Sequence, residues 1–408
     1  MDNCLCRISK KDDLINVFDL GNHHMCGEFP SSTTDHIEKG KLSLGWSPSS
    51  GLLQLSEERD ITSMYGENYG YRSGLNLSMV SHLKNKVNYL LELCNIENKK
   101  CVLDIGSNDG TLLSKYPQDI LKIGIDPTIS KYSNYYQKHI IKVPDFFTSE
   151  KFTEVSNGLK ADIITSISMF YDLPDPNFFV QNIRDTLSPN GIWNLEQSYM
   201  PSMIRTNSYD TVCHEHLEYY SLFVIKNLME NNKLRIIDVV FNRINGGSFS
   251  VTVCHDNARY RSNSSIINWM LSQEERMQLN TPYPYREFER KAYAHRSDLK
   301  ELIDSINDSD KKIAGYGAST KGNVILQFCQ FTVKDIYGIA EVNEDKFGKY
   351  TPGSNIPISS EQDIKSTKPD YMLVLPWHFR ENIIAREKDY LIKGGKLIFP
   401  LPEIEIVG

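Results

Sequence analysis

Between Lys100 and about His255 short apolar runs alternate with stretches whose apolar residues return at helical spacing. The runs Val102–Ile105, Ile123–Ile125, Ile163–Ile167, Gly191–Leu195, Ile236–Val240 and Phe249–Val253 predict strands. Pro176–Leu187 and Leu222–Glu230 predict helices between them. Such alternation predicts a mostly parallel sheet covered on both faces. The last two strands lack a helix between them, which predicts one antiparallel strand at an edge. Upstream, Met79, Leu83, Val87, Leu90, Leu91 and Leu93 recur at helical spacing over 76–98, with Asn76 placed as the cap.

The flanks read differently. Residues 1–75 carry short apolar stretches among many Ser, Gly and His residues, and predict a small irregular unit leaning on a neighbour. Residues 259–308 are polar and helix-rich, a connecting arm. Lys311–Ala318 then repeats the strand-and-glycine-turn pattern, followed by Ile336–Ala340, Tyr371–Leu375 and Lys396–Phe399. The expected organisation is an α/β chain of three units: 1–75, a central Rossmann-like unit over 76–258, and a helical arm with a smaller Rossmann-like unit over 259–408.

Composition narrows the classes. The 408 residues suffice for two or three cored domains. A net charge of −7 without a basic stripe disfavours nucleic acid as partner. No apolar run approaches the ~20 residues of a membrane span. The first residues lack the basic-then-apolar pattern of a secretory signal, and the eight cysteines are scattered. The expectation is a cytoplasmic protein with reduced thiols. No heptad pattern is apparent, so a monomer or weak homo-oligomer is expected.

The densest chemistry lies at 102–111, Val-Leu-Asp-Ile-Gly-Ser-Asn-Asp-Gly-Thr. A strand ends at Asp104, and Gly106, Ser107, Asn108, Gly110 and Thr111 form a turn into a helix, where α/β sheets bind ligands. Gly106 and Gly110 permit close backbone approach. The G-K-[ST] of a phosphate loop and a full G-x-G-x-x-G are both absent. The flanking acids disfavour a polyphosphate and suit a cation such as the sulfonium of S-adenosylmethionine (SAM). Asp126 ends the next strand 22 residues on, where an acid accepts ribose hydroxyls. The bland alternative is an α/β loop with two surface acids.

Four other segments carry candidates. Thr165–Pro176 includes Ser168, Phe170 and Tyr171 where the fourth strand meets a cofactor; a ring there packs on a purine or a substrate, or the segment only caps a helix through Asp175 and Pro176. Asp145 and Phe146 recognise adenine or are turn residues. Asp210–Tyr220 holds His214, Glu215 and His216 among further acids, a set suited to proton transfer near neutral pH. In an extended segment the two histidines share a side with Glu215 opposite, and in a loop all three converge; the bland alternative is a polar loop between a strand and a helix. H-E-x-x-H is absent, and no metal is expected. Asn245, Gly246 and Gly247 allow close approach to a ligand or make a hairpin. Gly315–Asn323, with Ser319, Lys321 and Asn323, predicts an anion cradle in preference to a packing turn. His378 and Arg380, beside Trp377, touch the same ligand or cap a strand.

Taken in order, Tyr69–Gly74, the Asp104–Thr111 loop, Glu196-Gln197, His214-Glu215-His216, Gly246–Ser248, Gly317–Asn323 and Trp377–Arg380 resemble the sugar C-methyltransferase family over nearly the whole chain. The family methylates carbon 3 of nucleotide-linked 4-keto-6-deoxy sugars. The resemblance implies an N-terminal zinc unit, a central class I SAM domain and a C-terminal Rossmann-like unit, with substrate between the last two. It implies that His216 is the base, that Glu215 supports it or holds the sugar, and that Tyr71, His214 or Asn245 stabilises the enediolate oxygen. Cys213 stands where relatives often have tyrosine.

The resemblance also implies two C-x-x-C zinc pairs. Here Cys6-Arg7-Ile8-Ser9 keeps one cysteine and Ser47-Pro48-Ser49-Ser50 none, so zinc loss is expected, with Trp46 packing in its stead. Cys4, Cys6, His23, His24 and Cys26 are a weaker substitute set. The alternatives to a C-methyltransferase are an O- or N-methyltransferase on a glycan precursor and a non-catalytic scaffold protein.

Overall fold

A computed structural model describes residues 4–57, 71–94, 100–242 and 246–408. Asn245, Tyr69, Gly70 and the end of the 76–98 helix lie outside the described residues. Among these residues no helix is long and apolar enough to cross a membrane. All eight cysteines are free thiols.

Residues 1–75 depart from the irregular unit expected. Strands β1 (Ile15–His24), β2 (Lys39–Trp46) and β3 (Leu53–Leu55) form an antiparallel sheet. The periodicity is hidden because β1 shifts register between Asn16 and Phe18 and again between Asp19 and Asn22. Such bulges break the two-residue alternation that marks a strand. Val17, Phe18, Leu42, Leu44 and Trp46 bury their side chains in the core.

The central unit runs β4 (Cys101–Ile105), β5 (Leu121–Ile125), β6 (Ile141–Val143), β7 (Ala161–Ile167), β8 (Leu187–Ser198), β9 (Glu218–Tyr219), β10 (Leu234–Asn242) and β11 (Ser248–His255). All but β9 make one seven-stranded sheet in the order β10-β11-β8-β7-β4-β5-β6. β11 runs antiparallel to both of its neighbours. It lies inside the sheet, with β10 outermost, and not at the edge as the sequence pattern suggested. The order reverses between β4 and β7, so the crevice outside their carboxyl ends is the ligand-binding position of such a sheet.

Helix Leu77–Cys94 is capped as expected, because Asn76 Oδ1 accepts the Ser78 N–H at 3.0 Å. Its Leu83, Val87, Leu90 and Cys94 stripe packs on Val102, Ile163 and Ile192 of the sheet. Helices Pro176–Thr186 and Leu222–Asn231 cover the other face. β9 pairs with β3, so the central unit supplies the fourth strand of the N-terminal sheet.

The arm is two helices, Ser264–Arg276 and the 26-residue Tyr283–Asp308. The longer one rests on β1 and β2, with Phe288 stacked on Phe18 at 4.6 Å and Tyr285 beside Trp46 at 6.1 Å. The last unit contains β12 (Ile313–Tyr316), β13 (Ile339–Glu341), β14 (Ile358–Ser360), β15 (Tyr371–Val374), β16 (Lys396–Phe399) and β17 (Glu405–Val407). Their order is β14-β13-β12-β15-β16-β17, parallel except for β17. This is the second Rossmann-like sheet.

Candidate active site

The turn after β4 is built by left-handed backbone at Gly106 (φ 70°), Asn108 (φ 50°) and Gly110 (φ 74°). A Cβ on Gly110 would lie 2.8 Å from the Tyr136 ring, and one on Gly106 3.0 Å from Met169 Cγ. Close packing thus reinforces the conformational need for glycine. Tyr136 donates its hydroxyl to Asn108 O at 3.0 Å and accepts from Ser107 Oγ at 2.7 Å.

Three carboxylates ring this turn. Buried Asp104 accepts from Thr165 Oγ1 at 2.6 Å. Burial pushes its pKa up to about 7; the Thr165 bond opposes this, and the charges of Asp126 and Asp109 add to it. Asp126 accepts from Thr128 N–H and Oγ1 at 2.6 Å through one oxygen, and from Asn108 N–H at 2.8 Å through the other. A carboxylate oxygen with one donor retains a lone pair for a ribose hydroxyl. Asp109 takes Gly74 N–H at 2.9 Å, with Arg72 Nε 3.8 Å away. The donor set and the tight glycine turn fit a cationic, ribose-bearing ligand such as SAM.

The Asn108 side chain is used for another purpose. It accepts Ser73 N–H at 3.0 Å and donates to Tyr71 O at 3.1 Å, strapping residues 71–74 across the turn. Thr111 Oγ1 turns back to Asp109 at 2.6 Å. Tyr71 itself is 47% exposed. Asp145 is paired with Lys151 at 2.5 Å, and Phe146 is exposed beside it. Ser168, also left-handed at φ 54°, donates its N–H to Glu196 O at 2.7 Å. Phe170 does not line the crevice: it is fully buried among Phe179, Trp193 and Tyr220, with centroids 5.2–5.7 Å apart. The turn after β7 rotates it into the core beneath the sheet.

On the acceptor side Cys213–Leu217 is a turn, closed by His216 N–H on Cys213 O at 3.2 Å, not an extended segment. The two histidines therefore part. His214 is buried, with Nε2 3.2 Å from Gly40 O of β2. His216 places Nδ1 2.9 Å from Thr211 O and its ring 4.4 Å from that of Tyr171. A carbonyl partner fixes the proton on Nδ1 and leaves the Nε2 lone pair outward. Desolvation, then the charge of Lys321, pulls the His216 pKa down to about 3. Glu215 is pushed up by burial and receives Gly27 N–H.

The other walls come from distant segments. Helix Thr320–Phe328 is capped by Ser319, whose Oγ accepts Gly322 N–H at 3.0 Å. Asn323 Nδ2 donates to Cys26 O at 2.7 Å, while its buried Oδ1 has no partner. Trp377 Nε1 donates to Asp210 Oδ2 at 2.8 Å. His378 is drawn down to about 3 by burial and by Lys321. A Cβ on Gly246 would sit 3.6 Å from Trp377 and 3.8 Å from His378; Gly247 O accepts Tyr199 N–H at 3.2 Å. The charge of Lys321 acts on His216, His378 and Asp210 alike, lowering all three.

Two expectations fail here. Arg380 faces away, paired on the surface with Glu405 (Nε–Oε2 2.9 Å) and Glu381. At the glycine turn before helix Thr320–Phe328 one amide, that of Ala318, is already taken by a carboxylate of this chain. Glu341 accepts Ala318 N–H at 2.7 Å, and Val342 and Asn343 N–H at 2.7 and 2.9 Å. The Gly317 turn is explained by packing, since a Cβ there would lie 2.8 Å from Pro376. Sequence reasoning also passed over Gln197. Both atoms of its amide are buried without partners at the end of β8; its place in the Glu196-Gln197 pair was the available signal.

Comparison with known proteins bears on the whole chain. Residues 6–65 match a family described as "Putative zinc binding domain", residues 79–239 one described as "Methyltransferase domain", and residues 243–402 "C-methyltransferase C-terminal domain". The C-methyltransferase NovU of Streptomyces niveus is 28% identical over 412 residues, 98% of this chain and 96% of that protein. The ubiquinone biosynthesis O-methyltransferase of Histophilus somni (strain 2336) is 30% identical over 115 residues, 26% of this chain and 48% of its own. A solved S-adenosylmethionine-dependent methyltransferase from Clostridium acetobutylicum aligns with 43% of this chain and 92% of its own, at TM-score 0.35 and 11% identity.

Proposed function

We propose that this chain is a SAM-dependent C-methyltransferase that methylates a carbon beside the ketone of a nucleotide-linked keto-deoxy sugar. SAM, when bound, would supply an electrophilic sulfonium methyl, the carbon that a substrate carbanion attacks while the C–S electron pair leaves on the sulfur of S-adenosylhomocysteine. Asp104, Asp126 and the Gly106–Thr111 turn hold it. The units 1–75, 76–258 and 259–408 each contribute to the acceptor cleft. The N-terminal unit works without zinc.

The observation that carries the reading is His216. Its Nδ1 is engaged by Thr211 O, so Nε2 is the free base, and its low pKa keeps it neutral at physiological pH. It removes the C–H proton made acidic by the neighbouring ketone. Lys321 supplies positive charge where the enediolate oxygen develops, which is where such barriers are chiefly lowered. A pKa of about 3 makes a weak base.

The test is solvent deuterium exchange at the substrate carbon, run with and without methyl transfer on candidate nucleotide keto sugars. The wild type exchanges the proton; His216→Asn loses exchange and turnover and still binds S-adenosylhomocysteine. Turnover at the wild-type rate by His216→Asn removes the base assignment. Methylation at an oxygen or nitrogen, without exchange, establishes the O- or N-methyltransferase alternative.

A further inference from the structure

The N-terminal residues match a zinc-binding family, but the donors that meet there are not those of a zinc site. Two turns face each other, Cys6–Ser9 and Ser47–Ser50. Cys6 Sγ lies 3.1 Å from Ser50 Oγ and accepts Ser9 N–H at 3.3 Å. Ser49 Oγ donates to Ser9 Oγ at 2.8 Å and lies 3.2 Å from Ser47 Oγ. Ser47 Oγ donates to Asp13 Oδ1 at 2.8 Å, and Ser49 N–H donates to Asp13 Oδ2 at 3.0 Å. One thiol and three hydroxyls thus occupy the four positions of a two-turn knuckle, cross-linked to one another.

Structural zinc is held by four thiolate, imidazole or carboxylate ligands. An alcohol keeps its proton at neutral pH and offers neither charge nor softness. Among the described residues no three His, Cys, Asp or Glu side chains are grouped to hold a metal. The substitute set considered from sequence is dispersed. Cys4 Sγ is 3.8 Å from Leu55 O; His23 Nδ1 is 3.3 Å from Gly21 O; Cys26 Sγ is 3.5 Å from His24 O.

We propose that a hydrogen-bonded network centred on the Asp13 carboxylate closes this knuckle without a metal, in a segment that matches a family described as a putative zinc binding domain. Asp13 uses both oxygens on the second turn. The first turn reaches the same network through the Ser9–Ser49 bond. A carboxylate accepting from a hydroxyl and a backbone amide forms charge-assisted bonds, stronger than neutral ones. The unit therefore owes its closure to a group that chelators cannot extract.

The experiment uses the full chain, produced with zinc in the medium. Elemental analysis is expected to find far less than one zinc per chain, and a chelator is expected to leave the melting temperature unchanged. Stoichiometric zinc that disappears in Cys6→Ser overturns the proposal; zinc that survives Cys6→Ser lies outside the knuckle and leaves it standing. Asp13→Asn is expected to lower the melting temperature, with Glu403→Gln, at an exposed position near the other end of the chain, as control; equal melting of the two overturns the role of Asp13. The triple variant Ser9→Cys, Ser47→Cys, Ser50→Cys is expected to take up about one zinc and to melt earlier with chelator. Failure of the folded triple variant to bind zinc refutes the claim that the network stands at a metal position.

Discussion

Gly27 offers the sharpest test of the proposal that the three units share one active site. A Cβ at this position would lie 2.2 Å from Glu215 Oε1, 3.4 Å from its Cδ and 3.7 Å from Thr320 Oγ1. Gly27→Ala therefore forces the carboxylate aside by about 1 Å to restore a van der Waals distance. Glu215 is held by Gly27 N–H and lies next to the proposed base, so the shift reaches the substrate directly. A misplacement of about 1 Å costs on the order of a hundredfold in rate, or roughly 2.7 kcal/mol of barrier. The SAM crevice is built from other segments, so affinity for S-adenosylhomocysteine is expected to stay within about twofold of wild type. The assay pairs methyl-transfer kinetics with calorimetric titration of S-adenosylhomocysteine. A double-mutant cycle closes the case: in a Glu215→Ala background, Gly27→Ala is expected to add little. A kcat near wild type in Gly27→Ala, or full additivity of the two substitutions, refutes the placement of Glu215 by the N-terminal unit.

Three further outcomes follow from the electrostatics. The ligand-free His216 pKa of about 3 lies below the ordinary histidine value, so activity is lost only as pH falls far below 6.5; kcat/KM for the acceptor, measured from pH 5 to 8 with SAM saturating so that Asp104 stays ionised, is expected to show no inflection near 6.5. Lys321→Ala removes one of the two influences depressing His216, so its acid limb is expected to move to higher pH while kcat falls; an unmoved limb contradicts the coupling. Thr165→Val strips Asp104 of its hydroxyl donor and raises its pKa above about 7. S-adenosylhomocysteine affinity at pH 7 is then expected to fall roughly tenfold, on the scale of a hydrogen bond to a charge, and to recover at pH 9. A loss independent of pH points to packing instead.

Much of the fold is legible in the sequence because its signals are local. Six of the central strands contain the apolar runs named from sequence, the helix caps Asn76, Asp175 and Ser221 stand where helices begin, and the β4 turn carries its own glycines. What escaped depends on partners distant in the chain. Phe170 and Tyr171 are equivalent as letters, but only the second reaches the cleft, because the turn after β7 decides which ring meets the core. Arg380 was credited with a ligand because its partner Glu405 comes 25 residues later. The Gly317 turn resembles a phosphate cradle until Glu341, 23 residues on from Ala318, is seen to take the Ala318 amide. His214 and His216 separate because the turn at Cys213 overrides strand alternation.

The borrowed strand β9 has a consequence for the order of synthesis. Leu55 N–H bonds to Leu217 O at 2.9 Å, and Arg7 reaches that same carbonyl at 3.4 Å across 210 residues of chain. Arg7 also lies 3.5 Å from buried Glu218. Until Tyr219 has left the ribosome, the nascent first sheet holds an open β3 edge, and Arg7 lacks its carboxylate partner. Open edges invite pairing with other chains, and contacts this far apart in sequence form slowly. The first part of the polypeptide to be made is thus among the last to be sealed, and chaperone demand during translation should peak before residue 219 emerges.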